Sequence, residues 1–562
     1  MSEMFWKKVK KIDFDLALFI VSSLFIMASY IVYLANLDQT INADLSGEIL
    51  TGREMFFRKT IFLRDWYFST EIFLIRSSFF TALWLFITDN ILRAFTLSII
   101  TEIFLQTICF IYMGKRLDLS NKAIFLGIIV FYGIRTTGSG FICGMGGSPY
   151  ATMNMTCFLV IGYYAARAVG IINIKDRIVS VLIPVLAFLF GICSMRLLVI
   201  LFFPIFLVHL CRKFWSKEPF SIKDDHIFLE IVLWAVLNVI GILITVKFIM
   251  PLGFGPVKYP IEYTSGLVNI VTVLLPTLIA EFFRYHPIFT ATVESNVFSL
   301  SFVNGFLSFL FFLTLAYFAK ITWKTNEKIR ISVYYIFISS LVLSIVTQLI
   351  FFWEAVIHFR YYMLMFVLFS LIFSYAYDDL KEAHKTLKNI FLSLLLIFFV
   401  TNSIYNISQL NLVILKNTSI VSVWEWKKIT GILKKHEIDL AYALSWDSNS
   451  ITVLSNGEVE IAPVLGNMTP MEYVVPYRYY TPDIKDQKTA FIKINHLVYT
   501  DFKFLPQFHI SNFDIFEKAV KKETIIGPFY TIEIFIFDKN YFTFPDDYNP
   551  KEKYLEQLQN YS

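Results

Sequence analysis

The sequence predicts an α-helical polytopic membrane protein of about eleven spans, carrying a C-terminal α/β or α+β domain outside the membrane. Three observations lead there. The chain is 56% hydrophobic and 17% charged, with a mean hydropathy of +0.61. Apolar runs long enough to cross a hydrocarbon core, which takes about 20 residues per helix, recur from residue 14 to residue 410. From about Val421 these runs stop, and strand-like segments alternate with polar ones.

Spans are expected near 14–34, 91–113, 121–137, 150–169, 178–193, 196–211, 227–249, 298–319, 332–352, 360–377 and 389–410. The first, Phe14 to Leu34, is too long for a cleaved signal peptide and no Ala-x-Ala-like site follows, so it reads as an anchor. Lys7, Lys8, Lys10 and Lys11 precede it, and basic residues then fill every second loop, among them Lys115, Arg116, Lys175, Arg177, Arg212, Lys213, Lys324, Lys328, Lys381 and Lys385. Such a bias places the amino terminus in the cytoplasm. An odd number of spans puts everything after Asn411 outside, together with loops 35–90, 135–149, 250–297 and 353–359. The domain division is thus a transmembrane part, 1–420, whose first outer loop is 35–90, and an extracytoplasmic part, 421–562.

Two stretches strain this topology. The segment 71-EIFLIRSSFFTALWLFITDN-90 is apolar enough for a helix, yet a span there breaks the alternation of basic loops; it reads as interfacial helices along the outer face. The break 192-ICSMR-196 allows only a tight turn, so one of spans five and six reads as partial or re-entrant. In the C-terminal part, 423–446 reads as a helix then a strand, 457–465 and 489–495 as strands, and 513–523 as a helix ahead of 524–538.

Composition also excludes functions. The formal charge of +5 resides largely in short loops, where membrane orientation accounts for it, and nucleic acid is not an expected partner. Cys109, Cys143, Cys157, Cys193 and Cys211 lie in or beside apolar segments without CxxC spacing, which points to neither a disulfide framework nor a zinc site. No HExxH, GxSxG or EF-hand pattern occurs, and the glycine-rich 138-GSGFICGMGGSPY-150 lacks the Lys-Ser/Thr ending of a phosphate loop.

The chemistry is sought where charge meets the membrane boundary. In 42-NADLSGEILTGREMFFR-58, Asp44 and Glu48 are four apart; on a helix they share a face and repel, so something must offset the cost. One account makes Asp44 an N-cap with Glu48 in the first turn, although the capping box wants Glu or Gln where Gly47 stands. The other makes Asp44 a half-desolvated general base with a raised pKa, Glu48 its supporting or rival carboxylate, and Arg53 and Arg58 interfacial anchors. A second cluster, 353-WEAVIHFRYYM-363, puts Arg360 at the mouth of an apolar span beside Tyr361, Tyr362 and His358. A guanidinium there suits a phosphate at headgroup depth; the alternative is an aromatic-belt anchor. Arg135, Arg196, Lys258, Glu281 and Arg284 are further charges on that side, each alone better read as a snorkelling or paired side chain, though together they make the vestibule cationic. Inside the spans ionisable residues are sparse, Glu102 being the clearest.

This order of features resembles the GT-C membrane glycosyltransferases, the class of the protein O-mannosyltransferases and the aminoarabinose lipid A transferase. The resemblance rests on an acidic first outer loop followed by 81-TALWLFITDNILRAFTLSIITEIFLQTICFIYMGKRL-117. There Trp84, Phe86, Arg93, Gly114, Lys115, Arg116 and Leu117 match the class pattern, and Thr88 stands where it often has Gly. Arg360-Tyr361 is similar to a late Arg-Tyr before an apolar span, and 452-TVLSNGEVEIAPV-464 resembles the outer domain of a bacterial GT-C-like subgroup.

The resemblance implies transfer of a sugar from a polyprenyl-phosphate donor to a cell-envelope glycan, lipid or protein acceptor, on the outer face of a bacterial plasma membrane. By it, Asp44 is the catalytic base and Arg360, with Tyr361, Lys258 and Arg196, binds the donor phosphate. The class's paired Asp-Glu or Asp-x-Asp is not present at Asp44, which favours metal-independent, inverting chemistry with no cofactor; a divalent metal is not indicated. The alternative is a non-enzymatic transporter or scaffold for lipid-linked glycans. A transporter should carry charges in mid-helix along a path, whereas here they gather at the outer mouths.

Overall fold

A computed structural model describes residues 13–41, 43–68, 74–133, 150–170, 172–216, 225–249, 313–320, 328–351, 364–380, 384–416, 423–472, 474–496, 512–527 and 530–549, with a few isolated positions besides. The helical part opens with α1 (Phe14–Ala35), α2 (Ala43–Arg58), α3 (Ser77–Trp84), α4 (Ile91–Arg116), α5 (Asn121–Gly133), α6 (Tyr150–Val169) and α7 (Ile174–Cys193). A π turn at Leu198–Phe202 leads into α8 (Phe203–Ser216), followed by α9 (His226–Ile244), α10 (Lys328–Phe351), α11 (Leu364–Asp379) and α12 (Lys385–Lys416). Among the described residues, five helical stretches are long and apolar enough to cross a membrane: Phe14–Ala35, Ile91–Arg116, Ile174–Cys193, His226–Ile249 and Lys385–Tyr405.

Burial follows sequence character. Helix α6 carries apolar or small residues on every side and is buried from Tyr150 to Ala166, which makes it the centre of the bundle. Helices α7 and α9 touch backbone to backbone, because Gly191 and Gly241 face each other across the pair. A Cβ on Gly191 would stand 2.1 Å from the Asn238 carbonyl oxygen, and Asn238 Nδ2 donates to Ala187 O at 2.8 Å. At 192–196, α7 ends at Cys193 and helical backbone resumes from Arg196 to Ser216; of the two stretches, only Ile174–Cys193 is long and apolar enough to cross a membrane.

At one end of the bundle, ion pairs tie the start of one helix to the finish of another. Asp15 accepts from Tyr377 Oη (2.5 Å) and Lys388 Nζ (2.7 Å). Arg116 pairs with Asp176 (2.8 Å), Arg330 with Asp379 (2.8 Å) and Arg167 with Glu230 (2.8 Å). Asp176 also completes a capping box with Asn173 at the start of α7, so one carboxylate both begins a helix and anchors its neighbour.

The opposite end carries α2, α3 and the C-terminal part. There α13 (Val423–Lys435), β2 (Leu440–Leu444), α14 (Ser445–Leu454), β3 (Glu460–Val464), β4 (Val475–Pro476), β5 (Thr489–His496), β6 (Lys521–Ile526) and β7 (Tyr530–Phe537) follow one another, and β1 (Trp66–Tyr67) precedes them in the chain. The main sheet has the order β3-β2-β5-β7-β6, parallel from β3 to β5 and antiparallel beyond. Both faces are covered: Ile429, Leu433 and Ile451 lie on one side, Tyr442, Phe491 and Phe537 on the other. That double burial is why β2 reads as the continuous apolar run LAYAL. Two readings need correction. The segment 513–523 is a short 3-10 turn, Asp514–Lys518, that gives way to the edge strand β6, where pairing with β7 overrides local helix preference. Among the described residues of 71–90, only Ser77–Trp84 is helical.

Residues 35–90 are not a loop lying apart. Leu45, Ile49, Leu50, Trp66 and Phe68 share one apolar cluster with Val453, Leu454 and Val474, and β1 pairs antiparallel with β4 (Trp66 with Pro476, Tyr67 with Val475). Each such side chain contributes about 1.5–3 kcal/mol when fully buried, so first loop and C-terminal domain form one unit.

Candidate functional site

Helix α2 positions the predicted carboxylates. It begins at Ala43, so Asp44 is its second residue and lies inside the first turn; the N-cap account of Asp44 does not hold. Ser46, Leu50 and Arg53 follow one stripe and face the C-terminal domain: Ser46 Oγ lies 3.0 Å from Ser450 Oγ, and Arg53 Nη1 donates to Glu460 Oε1 at 2.7 Å. Glu48 faces the other way, and position 44, one turn earlier, falls on the Glu48 side of the helix. The Asp44 side chain, and the whole of Lys258, Arg360 and Tyr361, lie outside the described residues.

Glu48 is offset by Arg76, whose Nη2 lies 3.0 Å from Glu48 Oε1, the two side chains being 8% and 5% exposed. Just after it, Ser77 Oγ donates to Glu102 Oε1 at 2.8 Å, and Ser98 Oγ donates to the Ser77 carbonyl at 3.0 Å. Glu102, fully buried in α4, is therefore not an isolated charge within a span but part of a polar seam where α2, α3 and α4 meet. The helices can close on this seam because Gly52 lies directly against α3, where a Cβ would stand 2.6 Å from the Ser78 carbonyl. A buried ion pair is stabilising only when its geometry and remaining hydrogen bonds offset desolvation. A guanidinium so placed is also the side chain best shaped for a phosphate. Sequence reasoning passed over Arg76; the available signal was a single arginine inside the apolar run 71–90.

Arg196 stands at the same end. Its Nη1 donates to Tyr150 Oη at 2.8 Å and its guanidinium lies over that ring at 5.7 Å, while the Ile72 amide donates to the Cys193 carbonyl at 3.3 Å. The end of α7 is thereby tied to the segment that leads into Arg76.

Arg53 and Arg58 both meet protein carboxylates. Arg58 Nε donates to Glu54 Oε2 (3.0 Å) and Arg58 also pairs with Asp65, while Arg478 reaches Glu54 with Nη1 (3.0 Å) and Nη2 (2.9 Å). Protein carboxylates within reach have claimed both arginines. Burial alone would raise the Glu54 carboxyl, but the Arg478 hydrogen bond and the charges of Arg478, Arg58 and Arg53 outweigh it and hold the group below its ordinary value. A further carboxylate, Asp447, sits in the first turn of α14, just past the carboxyl end of β2; burial pushes it up to about 7.

No family model matches the chain, nor does any curated protein. The functional reading therefore stands on the chemistry of the site.

Proposed function

We propose that this protein is a membrane glycosyltransferase that moves a sugar from a polyprenyl-phosphate donor to a hydroxyl of a cell-envelope acceptor. The observation that supports it is the buried Glu48–Arg76 pair one turn beyond Asp44, on a helix braced by the C-terminal domain. In this reading the Asp44 carboxylate takes the acceptor proton as the acceptor oxygen bonds the anomeric carbon. The bond from that carbon to the phosphate oxygen breaks, and its electron pair leaves with the polyprenyl phosphate. Arg76 joins Arg360, Lys258 and Arg196 as a cation that stabilises the phosphate, and Tyr361 borders it. Glu48 positions Arg76. Eleven spans, with α2 and the C-terminal domain on the outer face of a bacterial plasma membrane, complete the proposal.

The experiment is transfer of radiolabelled sugar from polyprenyl phosphate to an envelope extract by the purified protein, with Asp44→Asn and Arg76→Met beside it. Loss of transfer in both variants is expected, at unchanged thermal stability for Asp44→Asn and at lowered stability for Arg76→Met, which leaves the Glu48 carboxylate buried without its guanidinium. Undiminished transfer by Asp44→Asn overturns its role as base. A wild type inert toward every polyprenyl-phosphate donor, yet binding lipid-linked glycan, favours the transporter or scaffold reading.

A further inference from the structure

On the side of α2 turned away from Glu48, a cavity of about 380 Å³ lies between α2, the turn after α3 and the turn after α14. Arg53 and Asp89 are its charged lining residues, and Asn456 closes it by donating to the Asp89 carbonyl (3.1 Å) and accepting from the Ile91 amide (2.8 Å). Its rim is apolar and open: Phe57, Phe86 and Ile87 are 62%, 68% and 76% exposed. Phe56 joins the two sides of this rim, packing edge-on against Phe86 with centroids 4.9 Å apart.

So much contiguous apolar surface is costly in water and marks a surface that something covers. What covers it follows from continuity. Ile87 stands one turn ahead of α4, one of the helices long and apolar enough to cross a membrane, and α4 leaves Ile100, Phe104 and Ile108 exposed further along. From the rim the exposed face passes Arg93 in the first turn of α4 and then becomes apolar at Ile100, Phe104 and Ile108, so charge gathers beside the cavity and apolar surface lies beyond it, the profile of the boundary between headgroups and acyl chains.

We propose that this cavity seats the headgroup of a zwitterionic bilayer phospholipid. Its phosphate meets the cavity side of the Arg53 guanidinium, Nη1 staying on Glu460 Oε1 (2.7 Å); its ammonium meets Asp89, and its chains run past Phe57, Phe86 and Ile87 onto α4. The lipid thereby fixes the depth of α2 at the membrane surface. Gly457 belongs to the device: with φ +72° it passes Arg53 so closely that a Cβ would stand 2.5 Å from Nη2. The inference needs a bilayer around α4 but not the transfer reading, since it uses the other face of α2.

The test uses the full chain in phosphatidylcholine nanodiscs, with a photoreactive benzophenone amino acid at position 86, 87 or 526. Ile526 is 80% exposed on edge strand β6 and serves as the control. Lipid adducts at 86 and 87, seen by intact mass, and none at 526 are expected. Equal yields at all three positions, or cross-linked protein dimers in place of lipid adducts, overturn the proposal. For the headgroup, Asp89→Lys should lower phosphatidylcholine retained in native mass spectra by about two- to fivefold, the range for one part-exposed charge pair. Unchanged retention, with stability as in wild type, refutes the assigned headgroup contact.

Discussion

Removing Arg478 tests whether the first loop and the C-terminal domain are one unit. Glu54 is 7% exposed at its side chain and takes two hydrogen bonds from Arg478 and one from Arg58. Arg478→Met leaves a buried carboxylate with Arg58 as its one remaining short hydrogen-bond partner. Breaking a fully buried pair costs about 3–5 kcal/mol; because Arg478 itself is 42% exposed, solvent screening brings the expected loss to about 2 kcal/mol. A double-mutant cycle with Glu54→Gln, read by thermal unfolding in detergent, should return a coupling of about 1.5–2 kcal/mol. Amide exchange should quicken at Tyr67 and Val475, where β1 pairs with β4. A coupling below about 0.5 kcal/mol, with exchange unchanged, would refute the reasoning. The pH dependence has a definite sign. The Glu54 carboxyl sits below its ordinary 4.5 in the folded state, so its contribution is complete above that value and is lost as pH falls through the folded pKa.

Three more predictions follow from contacts and charge. Gly191→Ala should lower stability by about 1–3 kcal/mol, because the added methyl meets the Asn238 carbonyl and α7 must part from α9; an unshifted melting temperature would show that the pair can slide apart freely. Gly457→Ala combines a left-handed backbone with a clash against Arg53 and should cost about 1–3 kcal/mol, with protease cleavage appearing near the turn after α14. Asp447 has the opposite sign to Glu54: raised to about 7 in the folded state, it destabilises progressively as pH rises from 3.8 to that value. The shift corresponds to about 4 kcal/mol; because Asp447 keeps some exposure, Asp447→Asn should stabilise by on the order of 2 kcal/mol at pH 8 and hardly at all at pH 4; equal effects at both values would exclude burial as the cause.

Composition and periodicity placed the five apolar helices that, among the described residues, are long enough to cross a membrane, because burial in lipid or in a helical core demands long apolar runs whatever the neighbours. They likewise placed β2, β3 and β5; β2, covered on both faces, is an unbroken apolar run, while β5 is apolar at 490–492 and mostly polar beyond. The spacing of Asp44 and Glu48 raised a charge problem that helix geometry made unavoidable. Its solution was not legible, since Arg76 lies 28 positions after Glu48 and nothing local says that α3 folds back onto α2. The same holds for Arg53 and Arg58, whose partners Glu460, Glu54 and Asp65 were all in view as letters, yet only tertiary packing made Glu460 a neighbour of α2. Local patterns record what each segment needs to bury; which distant charge satisfies it depends on how the segments dock.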